Sequence, residues 1–503
     1  MDHAGTGCAG RRSCAATGPD RERLNGPMTE SPHMSHEEFR RLGHALVDWI
    51  AEYHRTIDER PVAARVAPGD LMRALPVHAP ERGEPWDAIL GDIERLVMPA
   101  VTHWQHPNFY AWFPGNGSYP AILGDLLSTG LGVNGFLWAT CPAITELETR
   151  VMDWLGEMIG LPVCFRSDAR DASGRSSGGG VIQGTASEAA VVAMVAARER
   201  AGGASAVAYT SSQAHSSIEK AAMVCGLGRE RVRRVGVDES LAMRADELER
   251  LIRADREAGL TPAFVCATIG TTSTTAIDPL RAIGAVCRRA GVWLHVDAAF
   301  AGAAWVCPEY RWMAEGIELA DSVCFNPHKW LLTSFDCSAL WTADRQALTS
   351  ALSVTPEYLR NAASESGAVI DYRDWQVPLG RRFRALKLWF VIRHYGVEGL
   401  RAHVREGVRL GEVFESLVRR DERFEVVMPR TLSLVCFCLR GDDDANRRLL
   451  ERVNASGRAL LTHTVVPIGG RPRYVLRMAI GGTATQERHV RETWELIRSC
   501  ADA

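Results

Sequence analysis

No apolar run in this 503-residue chain is long enough to span a bilayer. The stretch from Met1 to about Pro32 also lacks the apolar core of a secretory signal. Neither a membrane protein nor a secreted precursor is expected. An excess of one charge is missing too. The formal net charge of -3 gives no reason to expect nucleic acid or an anionic membrane as partner. The thirteen cysteines include no Cys-x-x-Cys pair. Many, such as Cys266, Cys324, Cys436 and Cys438, lie within apolar strands and read as small core residues of a reducing cytoplasm rather than a disulfide framework. The glycines from Gly178 to Gly184 do not fall into Gly-x-Gly-x-x-Gly, and no Gly-Lys-Ser/Thr follows, so dinucleotide and Walker-type binding are unsupported. No internal repeat is present.

What is there suits a globular protein: 46% hydrophobic and 24% charged residues, in a chain long enough for a large core and more than one domain. Met1 to about Pro32 has no hydrophobic period and reads as a disordered tail, or as an over-called start with Met28 or Met34 as the true beginning. Ser35-His36-Glu37-Glu38 is a capping-box pattern, and Phe39, Leu42, Leu46, Val47 and Ile50 follow at helical spacing, so a helix is predicted to Ile57. A second is predicted over Trp86 to Val97 and a third over Ala143 to Ile159. The Arg229 to Arg234 cluster reads as a solvated helix end or loop. Ala206–Thr210, Ala263–Ile269, Val292–Asp297 and Ser322–Phe325 read as strands alternating with helices, which predicts a parallel sheet. After a helix over Lys387 to Tyr395, strands such as Leu432–Leu439 and Tyr474–Ala479 alternate with helices in an α+β pattern.

The chemistry gathers at strand ends. Asn326-Pro327 breaks the apolar run Ser322–Phe325, because proline removes a ladder donor and restricts the residue before it. Lys329 then sits just past a strand end, where open α/β sheets place their ligands. Beside Trp330 it can lose solvation, and its neutral amine becomes a nucleophile towards carbonyls. The plain alternative is a solvated loop lysine. Asp297 ends another strand and is followed by small residues that let a flat ring approach. A nucleophilic lysine with a carboxylate that holds a pyridinium nitrogen is the protein's share of pyridoxal phosphate chemistry. Thr185 to Glu188 caps a helix whose first-turn N–H groups form an anion site, or simply a cap. His103 and His106 are followed at once by Pro107, against a helix presenting both rings, and no glutamate separates them as in zinc proteases, so no metal is expected. The aromatic residues from Trp104 to Phe113 read instead as a flat apolar pocket wall. Val354 to Gly367 is rich in small polar residues and reads as a mobile loop carrying Tyr358.

The motif Asn326-Pro327-His328-Lys329-Trp330, the strand around Asp297 and Trp375-Gln376-Val377-Pro378-Leu379-Gly380-Arg381-Arg382-Phe383-Arg384 resemble the pyridoxal-phosphate-dependent group II amino acid decarboxylases, most closely the aromatic L-amino acid decarboxylases. The resemblance runs from about Ser35 to the C-terminus. It implies an α/β, fold type I, aspartate-aminotransferase-like architecture. The expected segments are an N-terminal extension (1–34), a helical dimer-wrapping segment (35–118), a large cofactor domain (119–387) and a small α+β domain (388–503).

The resemblance further implies that pyridoxal 5'-phosphate is held by Lys329 and Asp297, with His215 flat over its ring, Thr272 and Ala299 beside it, and Ala186, Ser187 and Asn326 at the phosphate, His328 adjoining. Asp278 helps hold the site together. Trp104, Trp112, Phe113, Pro114 and Gly115 are expected in the substrate pocket, and Gly380 with them. Asn134 and Phe136 are expected to reach the neighbouring subunit's site in a homodimer. Tyr358 is expected to close over the partner's site and deliver a proton; relatives with phenylalanine there are aldehyde synthases. Trp112 stands where tyrosine is usual, Gly115 replaces a hydroxyl residue, and Asn134 replaces an aliphatic one. Gly380, usual in animal DOPA and plant tryptophan enzymes, and Gly115 together tilt the expected substrate towards an indole or other bulky aromatic, with DOPA, tyrosine and phenylalanine behind. An aromatic acetaldehyde synthase, an inactive binding scaffold and, more remotely, a zinc hydrolase using His103, His106 and His295 stay open at this point.

Overall fold

The computed structural model describes residues 33–203 and 205–502. Most of the expected tail, with Met1 and Met28, therefore lies outside the described residues. The chain divides into two compact units, Met1–Thr56 and Ile57–Ala503. In the first, the helix His36–Arg55 begins where the capping box places it: Ser35 Oγ accepts from the Glu38 N–H at 3.2 Å. Glu37 and Glu38 in its first turn and His54 and Arg55 in its last complement the helix dipole. Phe39, Leu46 and Val47 of its apolar stripe are exposed.

The second unit holds two sheets. The strands of the larger are β1 (Gly179–Gln183), β2 (Ala206–Ser211), β3 (Val232–Val235), β4 (Thr261–Thr268), β5 (Trp293–Asp297), β6 (Ser322–Phe325) and β7 (Ser338–Thr342). They stand in the order β1-β7-β6-β5-β4-β2-β3. β1, β2 and β5 to β7 are buried along their whole length, which is why they read as continuous apolar runs. The sheet is mixed, not parallel as the alternation predicts: β7 runs antiparallel to both β1 and β6. The connection from β6 holds only the short helix Pro327–Trp330 and no crossover helix to carry the chain back. The arginine cluster also differs from its reading. Only Arg229–Arg231 is a turn; Val232–Val235 pairs with β2 as an edge strand, and Arg233 forms an ion pair with the mostly buried Asp255 at 2.7 Å.

The smaller sheet comprises β8 (Phe424–Val426), β9 (Leu434–Leu439), β10 (Thr462–Ile468) and β11 (Arg471–Ala479), in the antiparallel order β10-β11-β9-β8. One helix, Arg384–Arg419, leads towards it and is broken at Gly396, where φ is 62° and glycine is the residue that adopts it without strain. The expected boundary at Lys387 falls inside this helix. Lys387 is buried there and paired with Asp125 at 3.0 Å. A helix that the sequence reading passed over, Tyr119–Leu131, starts at Ser118, whose hydroxyl caps it. Its Tyr119, Leu123, Leu126, Leu127 and Leu131 are exposed. The functional consequence of the large sheet is simple: β1, β2, β4, β5 and β6 all point the same way, so their C-terminal ends share one edge.

Candidate active site

At that edge the register sets Thr268 beside Asp297, and Asp297 beside Cys324. The chain leaving β6 turns through Asn326 and brings Lys329 back towards both. Together with the segments after β1, β2 and β4, these residues enclose a cavity of about 220 Å³. Its wall contains Lys329, Asp297, His215, Ala186, Ser187, Thr272, Asn326, His328, Ala299 and Phe113, so the structure brings together every residue expected to hold the cofactor.

The electrostatics follow from burial. Desolvation holds the Lys329 ammonium below the usual lysine range, and the Asp297 carboxylate pulls the other way. Asp297 is 5% exposed; one of its oxygens accepts from the Ala299 N–H at 2.9 Å, and the other is left for the cavity. Burial also keeps His215 below the usual imidazole range. Its Nδ1 accepts from the Ser217 N–H at 3.1 Å, so the neutral ring carries its proton on Nε2. His328 is locked in the same way by the Cys337 N–H at 2.9 Å, and burial pushes it to about 4. Asp278 lies behind the wall, each oxygen accepting a backbone N–H, from Met243 and Thr268, both at 2.7 Å. It ties β4 to the following turn, a supporting role.

Two features suit a polar, anionic ligand. The helix Ala186–Arg200 starts at the cavity, capped by Thr185, with first-turn N–H groups that have no intrahelical acceptor. Asn326 Oδ1 and Thr268 Oγ1 are buried without a hydrogen-bond partner, and an amide or a hydroxyl can turn a donor to such a ligand. Glu188 completes the cap from an unexpected angle: it takes the N–H of Gly184 at 2.9 Å rather than that of Thr185.

The sequence reading missed Ser217, Thr268, Gly270 and Phe300 as wall residues, while Thr185, read as the helix cap, joins them. Phe300 stacks between Phe113, at 3.8 Å between ring centres, and Trp330, at 4.8 Å. It also missed Arg477, which is 3% exposed, lies 5.3 Å from the Phe113 ring centre, and donates to the carbonyls of Trp112, Thr272 and Ser273. Each of these wall residues lies within four positions of an expected one, so a local signal existed; Arg477 alone is far in sequence from the segments it holds.

The remaining expected residues do not join this wall. Trp104 and Trp112 stack on each other at 5.3 Å and are both exposed. Pro114 is buried, and Gly115 faces the His328 carbonyl. Asn134 and Gly380 border a separate cleft of about 400 Å³; Asn134 Oδ1 accepts from the Arg381 N–H at 2.8 Å. The Phe136 carbonyl accepts from the Arg373 N–H at 3.2 Å. Tyr358 is 80% exposed on a short turn, Glu357–Leu359. A cavity of about 660 Å³ lies under that loop and shares no residue with the Lys329 cavity.

Residues 68–440 match the pyridoxal-dependent decarboxylase conserved domain. The chain is 46% identical to phenylacetaldehyde synthase of Arabidopsis thaliana, over 94% of this chain and 98% of that one. It is 47% identical to aromatic-L-amino-acid decarboxylase of Rattus norvegicus, over 93% and 98%. Among solved structures, that of Oryza sativa TDC with PLP and tryptamine aligns with a TM-score of 0.90 at 42% identity, covering 94% of this chain and 99% of that one.

Proposed function

The chain belongs to the pyridoxal-dependent decarboxylases, and from that premise we propose that it converts an aromatic L-amino acid, with tryptophan or 5-hydroxytryptophan preferred, to the aromatic amine and carbon dioxide in the cytoplasm. It is a carboxy-lyase, and its cofactor is pyridoxal phosphate. The carrying observation is the single cavity that unites Lys329, Asp297 and His215 at the ends of β6, β5 and β2.

The wall residues fit the cofactor. Lys329 would hold its carbonyl carbon, Asp297 its ring nitrogen, and the Ala186 and Ser187 N–H groups with Asn326 its phosphate. When bound, the cofactor supplies a sink for the electrons released with carbon dioxide. The chain supplies the rest. Lys329, its ammonium disfavoured by burial, offers a neutral amine. Neutral His215 turns its Nε2–H towards the cavity, where it orients the departing carboxylate. Phe113 and Phe300 keep that end of the site dry, which favours losing a charged group as a neutral gas. The Tyr358 hydroxyl gives the proton to the carbon that carbon dioxide has left.

That last step needs a second copy. Tyr358, Asn134 and Gly380 lie outside the Lys329 cavity of their own chain, and the exposed leucine face of Tyr119–Leu131 gives a partner subunit an apolar surface to cover. We infer a homodimer whose subunits complete each other's sites, without nucleic acid or membrane as partner; among the described residues no helix is long and apolar enough to cross a membrane.

The Arabidopsis relative's name favours a second reading, an aromatic acetaldehyde synthase. A tyrosine at 358 supports the decarboxylase, because phenylalanine has no proton to give. The test offers tryptophan, 5-hydroxytryptophan, DOPA, tyrosine, phenylalanine and histidine to purified protein with pyridoxal phosphate, following carbon dioxide, amine and hydrogen peroxide. Amine without peroxide supports the decarboxylase. Peroxide matching product favours the synthase. No turnover on any of the six, with cofactor bound, removes the substrate class.

A further inference from the structure

We propose that Asp371 is a positioning residue that sets where Tyr358 sits, and so keeps the reaction on the amine-forming course. The inference rests on the decarboxylase reading above. The loop from 354 to 367 has little core of its own: Val354 and Tyr358 are exposed, and the large cavity separates it from Arg345, Asp374 and Trp375. Leu359 is its buried apolar anchor, 6% exposed. The loop's place therefore depends on polar ties, since few apolar contacts hold it.

Arg373 holds the loop's start, donating to the Val354 carbonyl at 3.4 Å and to the Thr355 hydroxyl at 3.2 Å; Asp371 ties the stretch that follows Tyr358. One of its oxygens accepts from the Ser364 hydroxyl, at the short helix Ala362–Glu365 that follows Tyr358. The other accepts from the Trp138 N–H at 2.8 Å. Ser364 is joined back towards Tyr358 through Asn361, whose Oδ1 accepts the Ser364 N–H at 3.0 Å and whose Nδ2 donates to the Leu359 carbonyl at 3.3 Å. Two residues past Asp371, the Arg373 N–H donates to the Phe136 carbonyl at 3.2 Å. One carboxylate thus fixes the Tyr358 loop against the segment carrying Asn134 and Phe136, the two pieces that the proposed dimer presents to the partner's cavity. Loosening it would move the tyrosine hydroxyl relative to those residues while leaving the Lys329 cavity untouched.

When the proton is not delivered, dioxygen can take the electrons instead. The amino acid, dioxygen and water then give aldehyde, carbon dioxide, ammonia and hydrogen peroxide, a balanced exchange in which oxygen is reduced to peroxide and the amine-bearing carbon is oxidised. Product partition therefore reports on Tyr358 placement, which a purely structural role of Asp371 would not shift.

The test compares wild type, Ser364→Ala, Asp371→Asn, Tyr358→Phe and the double variant Ser364→Ala/Tyr358→Phe as holoenzymes. Ser364→Ala is the gentler cut and guards against misfolding of Asp371→Asn. The expected result for Ser364→Ala is a fall of about tenfold in amine kcat with KM and cofactor absorbance unchanged, and a rise in the peroxide-to-amine ratio. In the Tyr358→Phe background the same substitution should change nothing further, because the tie acts through that hydroxyl. A wild-type enzyme making amine, with Ser364→Ala indistinguishable from it or equally damaging in both backgrounds, overturns the positioning role alone. A wild type that makes no amine overturns the decarboxylase reading, and this inference with it.

Discussion

The Lys329 cavity and the Tyr358 loop are built in opposite ways. The cavity is assembled from the ends of five buried strands within one chain, with its polar groups fixed by backbone N–H donors: Ala299 on Asp297, Ser217 on His215, Cys337 on His328. The loop is exposed, sits over open space and depends on a few side-chain ties. The difference separates two tasks. Holding a cofactor against solvent needs a rigid, pre-paired wall. The task proposed for the loop, delivering one proton to another subunit's site and then releasing product, needs a piece that moves.

The sharpest break is at the cavity. Lys329→Ala should lower turnover by a factor on the order of 10⁴ and abolish the long-wavelength absorbance of bound cofactor. Retention of both would remove the assignment. Next comes the loop. Tyr358→Phe should cut amine formation by about 10³-fold, raise peroxide and leave cofactor absorbance intact. The two variants together test the sharing of sites. Mixed under subunit exchange, Lys329→Ala and Tyr358→Phe chains should recover about a quarter of wild-type activity, since half the dimers are mixed and each has one complete site. No recovery despite demonstrated exchange would return Tyr358 to its own subunit.

The same contrast explains what the sequence made legible. Lys329, Asp297 and His215 each follow a short apolar strand directly, so local patterning places them at one sheet edge. The capped helix at Thr185 is local too. Thr268 was not legible as a wall residue, because a lone threonine at a strand end does not announce its partners, and Arg477 was not legible beside the wall, because the Trp112, Thr272 and Ser273 carbonyls that it holds lie far away in the chain. The β7 reversal escaped for a related reason: strand direction is set by the connection, and alternation alone suggested crossovers throughout. Asp371 and Ser364 look like ordinary loop residues in sequence. Only their mutual contact gives them meaning.

Acid should disturb the cavity region before the loop. His328 in the cavity wall, His295 on β5 and His403 are held by Cys337, Ser322 and Asn116, and burial pushes each to about 4. An unfolded chain binds a proton at each below about 6.5, so stability falls as pH drops from there towards 4. Asp278 runs the other way: burial raises it to about 7, and it takes its proton in the folded chain while the unfolded carboxylate stays charged. These four groups alone give a net uptake on unfolding of about two protons, or about 3 kcal/mol lost per pH unit near pH 5. Calorimetric unfolding between pH 7 and 5 checks this; a flat or rising transition temperature would mean that these histidines are already charged in the fold.

The smallest expected effect bears on the ring the enzyme prefers. A β-carbon added at Gly380 would meet Asn134 Nδ2 at 3.7 Å, an ordinary contact, and one at Gly115 would meet the His328 carbonyl at 3.6 Å. Packing within one chain therefore demands neither glycine. Gly380→Ser should fold normally and lower kcat/KM for tryptophan by about tenfold relative to tyrosine, the scale of one added group in an apolar pocket. The comparison is read as a ratio on one protein preparation, so a general loss of activity does not imitate it. An unchanged ratio would take Gly380 out of the ring pocket.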